Sequence, residues 1–216
     1  MSPIEAIAIA RTEINRNESL KIVAISGPGE PLANPETFET LQMIRDEFSD
    51  IEICLSTNGS LLEENVDWLR NIGVRTVSVS MSTATPSSAS KIYEWINLEG
   101  DLLQGECLGS VIIESQLRGI AKASSQGINV KVNTILIPEI NKLDIAILAR
   151  EISKAGAVLQ NIVPLIPNDK LASSRRPTLN ELSQARQTAS VYIKQFSHCK
   201  QCRSDVVGIP GNDRIL

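Results

Sequence analysis

Several features that mark particular protein classes are missing or scarce in this chain of 216 residues. Aromatic residues make up only 3%, and histidine occurs once. No apolar run is long enough to span a membrane, and the first residues lack the basic start of a secretory signal. The net charge is −4, so a general nucleic-acid-binding surface is disfavoured. We therefore expect a cytoplasmic protein that acts on neither membranes nor nucleic acids.

Cysteine is also sparse, with four residues at positions 54, 107, 199 and 202. In a long chain without a signal, such cysteines are typical of reduced thiols or metal ligands rather than disulfides. Cys54 lies in an apolar run, which favours a small core side chain. Cys199 and Cys202 form a C-x-x-C pair beside His198, the only histidine. That pair is compatible with metal ligation, a redox couple or two unremarkable thiols.

Predicted strands and helices alternate along the chain, with short connections between them. Apolar runs predict strands at 20–26, 51–55, 76–80, 129–136 and 158–166. Capping boxes at Ser2/Glu5 and Thr178/Glu181 predict the first and last helices, the last one ending near Phe196, and three-to-four spacing predicts the helices between the strands. This order indicates an α/β fold with a parallel sheet. Because five strands are too few for a closed eight-stranded barrel, we expect an open sheet or partial barrel over 1–196, followed by a tail over 197–216.

The most informative segment lies between the first predicted strand and its helix, at 27–34 (GPGEPLAN). Gly27 and Gly29 allow a ligand to approach the backbone closely, and Glu30 is an acceptor for a cationic group such as an amine. Ligands of α/β folds bind at this carboxyl end of the strands. A plain turn with Glu30 facing water remains the alternative.

Two further strand ends carry polar residues. Ser56, Thr57 and Asn58 follow the second strand, and Asn133 lies in the strand that leads to Ile137. Hydroxyl and amide groups bind ribose or carboxylate well, although an Asn-Gly pair is also a common turn. In a parallel sheet all these ends lie on one rim, so we expect them to converge on one site.

The chain closely resembles the NifB family, which comprises the radical S-adenosylmethionine (SAM) proteins of nitrogenase FeMo-cofactor biosynthesis. The resemblance extends over nearly the whole chain, in the family's order and spacing. It is carried by the segments 27–35 (GPGEPLANP), 54–59 (CLSTNG), 91–95 (KIYEW), 116–117 (QL), 131–134 (KVNT), 137–138 (IP), 140–141 (IN), 161–162 (NI), 164–166 (PLI) and 198–203 (HCKQCR), with Asp205 and Gly208.

This resemblance implies a radical-SAM-type partial (β/α) barrel that binds SAM and an iron–sulfur cluster. It implies that the motif at Gly27, Gly29 and Glu30 holds the amino group of SAM, with Pro31 as a further cofactor contact. The remaining cofactor contacts that it implies are Ser56, Thr57, Asn58, Asn133 and Ile137. It also implies that Cys199 and Cys202 hold an iron–sulfur substrate cluster, with His198 beside them. The implied partners are cluster donor or carrier proteins of nitrogenase assembly.

The sequence departs from the family at one motif. The family holds its SAM-binding cluster with a C-x-x-x-C-x-x-C loop, which does not occur in these residues. We therefore expect a truncated or split gene product, completed by a separate chain, or a derived member without the radical step. A non-catalytic SAM- or cluster-binding module is the alternative. Strand 20–26 should then lie at or next to an exposed sheet edge, because its family neighbour is missing.

Overall fold

Helices and strands alternate in the computed structural model, which describes residues 1–27, 29–98, 100–196, 206–209 and 212–215. The helices are α1 (Pro3–Arg16), α2 (Pro35–Glu47), α3 (Leu62–Asn71), α4 (Pro86–Ile92), α5 (Gly105–Ser125), α6 (Ile145–Lys154) and α7 (Leu179–Ser190). The strands are β1 (Ile22–Ile25), β2 (Glu52–Thr57), β3 (Thr76–Ser80), β4 (Ile96–Leu98), β5 (Asp101–Leu103), β6 (Asn129–Leu136), β7 (Leu159–Pro164), β8 (Val206–Ile209) and β9 (Asn212–Ile215). None of the helices in these ranges is long and apolar enough to cross a membrane.

The central sheet has five strands in the order β1-β2-β3-β6-β7. All four neighbouring pairs are parallel. Helical connections between parallel neighbours give a partial (β/α) barrel, which confirms the predicted fold class. Strand β1 pairs only with β2 among the described strands, so the prediction that it lies at a sheet edge is confirmed.

Helix starts are where the sequence prediction succeeds best. Ser2 and Glu5 form a capping box at α1, and Thr178 and Glu181 form another at α7. In each, the hydroxyl accepts from the third helical N–H while the glutamate accepts from the cap N–H. These contacts are local, so four residues of sequence are enough to specify them.

The predicted end of the last helix is wrong. Helix α7 ends at Ser190 rather than near Phe196. The chain then runs beside β7, where the Gln160 N–H donates to the Lys194 carbonyl at 2.9 Å and the Phe196 N–H donates to the Gln160 carbonyl at 2.7 Å. This pairing with a distant strand competes with helical hydrogen bonds that the local sequence would also allow. The proposed division at 196/197 stays a prediction, since much of the tail lies outside the described residues.

The two faces of the sheet differ in composition. One face contributes buried apolar side chains such as Leu55, Val79 and Val132 to the core that the helices cover. The opposite face, which we call the polar face, is defined by Cys54, Ser56, Ser78, Ser80, Lys131, Asn133 and Asn161. Cys54 was expected in the core, but it is half-buried on the polar face, with its Sγ 4.0 Å from Ser78 Oγ. Strand alternation decides this, because Ile53 and Leu55 on either side of Cys54 take core-facing positions.

Candidate functional site

The Glu30 carboxylate is held firmly at the carboxyl end of β2. Its Oε1 accepts hydrogen bonds from Thr57 Oγ1 at 2.6 Å and from the Leu32 N–H at 3.1 Å. Its Oε2 accepts from the Asn58 N–H at 2.6 Å. A carboxylate offers about four acceptor positions, so these three donors leave capacity for one more. Glu30 therefore faces the β2 end, and the alternative of a solvent-facing side chain is not what the structure shows.

The glycines before Glu30 leave space beside the backbone. Gly29 has a φ of +93°, a conformation that favours glycine. A Cβ built on Gly27 or Gly29 would have no heavy atom within 4 Å, so a ligand can approach the chain there. Pro31 is the first residue of the 3₁₀ turn Pro31–Ala33, where its missing N–H costs nothing. The turn aims the Glu30 side chain back towards β2.

The residues that end β2 act partly on Glu30 and partly on the turn. Thr57 is buried, and its Oγ1 also accepts from the Gly59 N–H at 3.0 Å. Asn58 Oδ1 accepts from the Ser60 N–H at 2.8 Å, so this side chain stabilises the turn as well. Ser56 is half-buried on the polar face, opposite Ser78 in the register. The predicted cofactor-binding and turn roles of this segment are thus compatible.

A buried amide that the residue patterns did not single out ties two strand ends together. Gln116, on α5, is fully buried. Its Nε2 donates to the Asn58 carbonyl at 2.7 Å and to the Ser80 carbonyl at 3.0 Å. It also lies 3.4 Å from Tyr93 Oη. Burial raises the pKa of Tyr93, although its hydrogen bond with Gln116 opposes that shift. A glutamine at a core position of an apolar helix was the available sequence signal.

Asn133 lies on the polar face and forms a pair with Asn161 of β7. The two residues are register partners, and Asn161 Nδ2 donates to Asn133 Oδ1 at 3.3 Å. Asn161 is buried, and its Oδ1 makes no hydrogen bond within the described part of the chain. The pair therefore places two amide side chains, with donor and acceptor groups, at one point on the polar face. The residue patterns had pointed to Asn133 alone.

Ile137 is placed differently from the other predicted contacts. Its side chain is buried, and its N–H donates to Asn141 Oδ1 at 2.8 Å. Asn141 Nδ2 in turn donates to the carbonyls of Ser82 and Ile135. The Ile137 backbone thus belongs to a hydrogen-bonded loop after β6, and its role as a cofactor contact stays a prediction.

The predicted metal ligands cannot be placed. His198, Cys199 and Cys202 lie outside the described residues. Within the described ranges, no group of three or more His, Cys, Asp or Glu residues could hold a metal ion. The metal assignment therefore stays a prediction from the sequence and its resemblance.

An open cavity of about 420 Å³ lies away from this rim, at the amino ends of β2 and β3. Arg45 reaches into it, but its guanidinium donates to the carbonyls of Ile72, Ser49 and Gly73. These bonds join α2 to the end of α3, so the arginine has a structural role there.

Comparison with known proteins defines the class. Residues 1–152 match the Radical SAM superfamily, and the chain belongs to that superfamily. Among solved structures, a radical SAM methyltransferase from Sphaerobacter thermophilus superposes with a TM-score of 0.67 at 19% identity, over 98% of this chain and 60% of that one. Streptococcus suis SuiB bound to S-adenosylmethionine gives 0.67 at 14% identity, over 92% of this chain and 44% of that one. At these identities the likeness shows the fold alone.

Curated relatives narrow the class further. The chain is 41% identical over 198 residues to the FeMo cofactor biosynthesis protein NifB of Methanocaldococcus infernus, covering 92% of this chain and 65% of that protein. It is 36% identical over 221 residues to NifB of Klebsiella pneumoniae, covering 99% of this chain and 47% of that protein. The chain thus spans between about half and two thirds of the length of these relatives. Its superfamily implies SAM and an iron–sulfur cluster as cofactors.

Proposed function

We propose that this chain is the SAM-binding portion of a NifB-type radical SAM protein acting in FeMo-cofactor biosynthesis. SAM binds at the rim formed by Glu30 and the ends of β2 and β6, and an iron–sulfur cluster precursor is the substrate. The observation that carries this proposal is the fixed carboxylate of Glu30 beside the Asn58 N–H. The relatives named above support the pathway.

The residues present fit SAM at this rim. Glu30 retains acceptor capacity for the ammonium of the methionine moiety, while the space beside Gly27 and Gly29 admits the ligand. Ser56 and Asn133 lie further along the same edge of the polar face, where their side chains suit hydroxyl groups of the ribose. When bound beside a reduced iron–sulfur cluster, SAM supplies radical chemistry.

The chain's own residues would orient SAM rather than react with it. Thr57 and the Leu32 N–H hold the Glu30 oxygens, so the ammonium meets an acceptor that is already in place. Gln116, on α5, holds the Asn58 and Ser80 carbonyls at the ends of β2 and β3 in place. Cys199 and Cys202, with His198, would hold the cluster precursor, which cluster donor or carrier proteins of nitrogenase assembly would deliver.

Calorimetric titration of SAM into the anaerobic chain tests the SAM site. Replacing Glu30 with Gln removes the charge on the acceptor and should weaken binding about tenfold, the cost of one charge-assisted hydrogen bond. Glu36→Gln is the matched control, because Glu36 is exposed in the first turn of α2. Its affinity for SAM should equal that of the wild type.

Equal SAM affinity in wild type and Glu30→Gln would overturn the proposed site. Thermal unfolding of both variants checks that the rim is intact. Glu30→Asp retains the charge with a shorter reach, so an intermediate loss is expected if position as well as charge matters.

A further inference from the structure

Lys131 is an unusual residue for its position. It is the only basic residue in the five strands of the central sheet, and it stands on the polar face. Its register partners are Ser78 on β3 and Leu159 on β7. The side chain is half-buried. A lysine in the middle of a sheet has less access to solvent than one on a helix surface, so its charge is costly without a partner.

Within the described residues, Lys131 forms no ion pair. Basic side chains on the helices behave differently, as in the pairs Arg11–Glu47, Arg118–Glu63 and Lys122–Asp67. The Lys131 ammonium instead lies 5.9 Å from the centroid of the Phe196 ring, within the range of a weak cation–π contact. Among the described residues, the polar face thus presents a cation with no carboxylate at ion-pair distance.

The Lys131 ammonium lies away from Glu30, where the amino-acid moiety of SAM is proposed to bind. Glu30 lies against the end of β2, and Lys131 is on β6, with β3 between them. This separation is about 10 Å across the sheet. The ammonium also points towards Phe196, which is hydrogen-bonded beside β7 and therefore further from β2. A SAM molecule whose amine is bound by Glu30 has its carboxylate on the same carbon, far from Lys131.

We propose that Lys131 forms an anion-binding subsite for the iron–sulfur cluster precursor. This subsite rests on the proposed function, because that function supplies the cluster as substrate. Thiolate-ligated iron–sulfur clusters carry net negative charge, and their reduction potential depends on nearby charges. Lys131 is a positioning residue here, since it attracts the cluster without being a ligand to iron.

The test uses the full chain and a synthetic thiolate-ligated [4Fe–4S] cluster, added anaerobically in increasing amounts. Lys131→Met removes the charge with little change in shape, whereas Lys131→Arg keeps it. Lys154→Met, at an exposed position at the end of α6, is the control. We expect about tenfold weaker cluster uptake in Lys131→Met, near wild-type uptake in Lys131→Arg, and no change in the control. The difference should shrink at high salt.

A redox titration followed by electron paramagnetic resonance gives a second measurement. A nearby cation stabilises the more negative, reduced cluster, so loss of Lys131 should lower the reduction potential, and Lys131→Arg should restore it. Unchanged uptake and potential in Lys131→Met would overturn the subsite. If Lys131→Met unfolds, as judged by thermal melting, Lys131→Gln replaces it.

SAM titration distinguishes this subsite from the SAM site. SAM affinity should be the same in Lys131→Met and wild type. If SAM binds more weakly to Lys131→Met while decarboxylated SAM does not, Lys131 holds the SAM carboxylate and the cluster assignment is wrong. If the wild-type chain binds no cluster, the subsite is also overturned. If it binds cluster but no SAM, only the proposed SAM function fails.

Discussion

Thr57 Oγ1 donates a hydrogen bond of 2.6 Å to Glu30 Oε1, joining the end of β2 to the loop that follows β1. The same hydroxyl accepts from the Gly59 N–H at 3.0 Å. A buried threonine thereby fixes both the candidate SAM acceptor and the turn beside it. The precision of the site therefore depends on a side chain that faces the core and need not touch the ligand.

Thr57→Val should weaken SAM binding without abolishing it. The substitution keeps the shape of the side chain but removes the donor to Glu30, so the carboxylate loses one of its three anchors. We expect a several-fold loss of affinity by calorimetry and about 1 kcal/mol lower stability in urea unfolding. Thr40→Val is the control, because the Thr40 hydroxyl donates to the Glu36 carbonyl of its own helix. SAM affinity that is equal in both variants would show that Thr57 does not position Glu30.

Gly59→Ala should destabilise the fold strongly. Gly59 has a φ of +84°, and a Cβ there would lie 2.9 Å from Val79 Cγ1 and 3.0 Å from Gln116 Cγ. Backbone strain and crowding together should cost about 3 kcal/mol in urea unfolding. Gly127→Ala tests strain alone, since Gly127 has a φ of +82° but nothing within 4 Å of a Cβ. We expect about 1 kcal/mol for that control. Equal losses of unfolding free energy in the two variants would mean that the Val79 and Gln116 side chains move aside at little cost.

Glu181→Gln should make the thermal stability of the fold less dependent on pH. Hydrogen bonds from Arg175, from the Thr178 N–H and from Lys142 lower the pKa of Glu181 well below its usual range. A carboxylate with a depressed folded-state pKa stabilises the fold above its unfolded pKa of about 4.3, and this contribution is lost as the pH falls further. Wild type should therefore melt higher than Glu181→Gln at pH about 7, and the gap should shrink below pH about 4. A gap that is constant with pH would contradict the ionic contribution.

The local features of this fold follow from the sequence. The strand Asn129–Leu136 and the capping boxes at Ser2 and Thr178 were predicted at their observed positions. Each depends on residues close together in the chain, either through alternation of apolar side chains or through a cap that spans four positions. The hairpin of β4 and β5 was missed, because its strands have three residues each and show no clear periodicity.

Periodicity and caps in the amino-acid sequence are enough to specify the α/β class and the order of elements, and they place Glu30 and Asn133 at strand ends. The folded structure was needed to show that Glu30 turns towards Thr57, that Cys54 faces away from the core, and that Lys131 lies beside Phe196. The structure also shows that the residues predicted to end the last helix pair with β7 instead. The physical reason is range: caps and periodicity are local, whereas these contacts join residues far apart in the chain, and strand register brings those residues together.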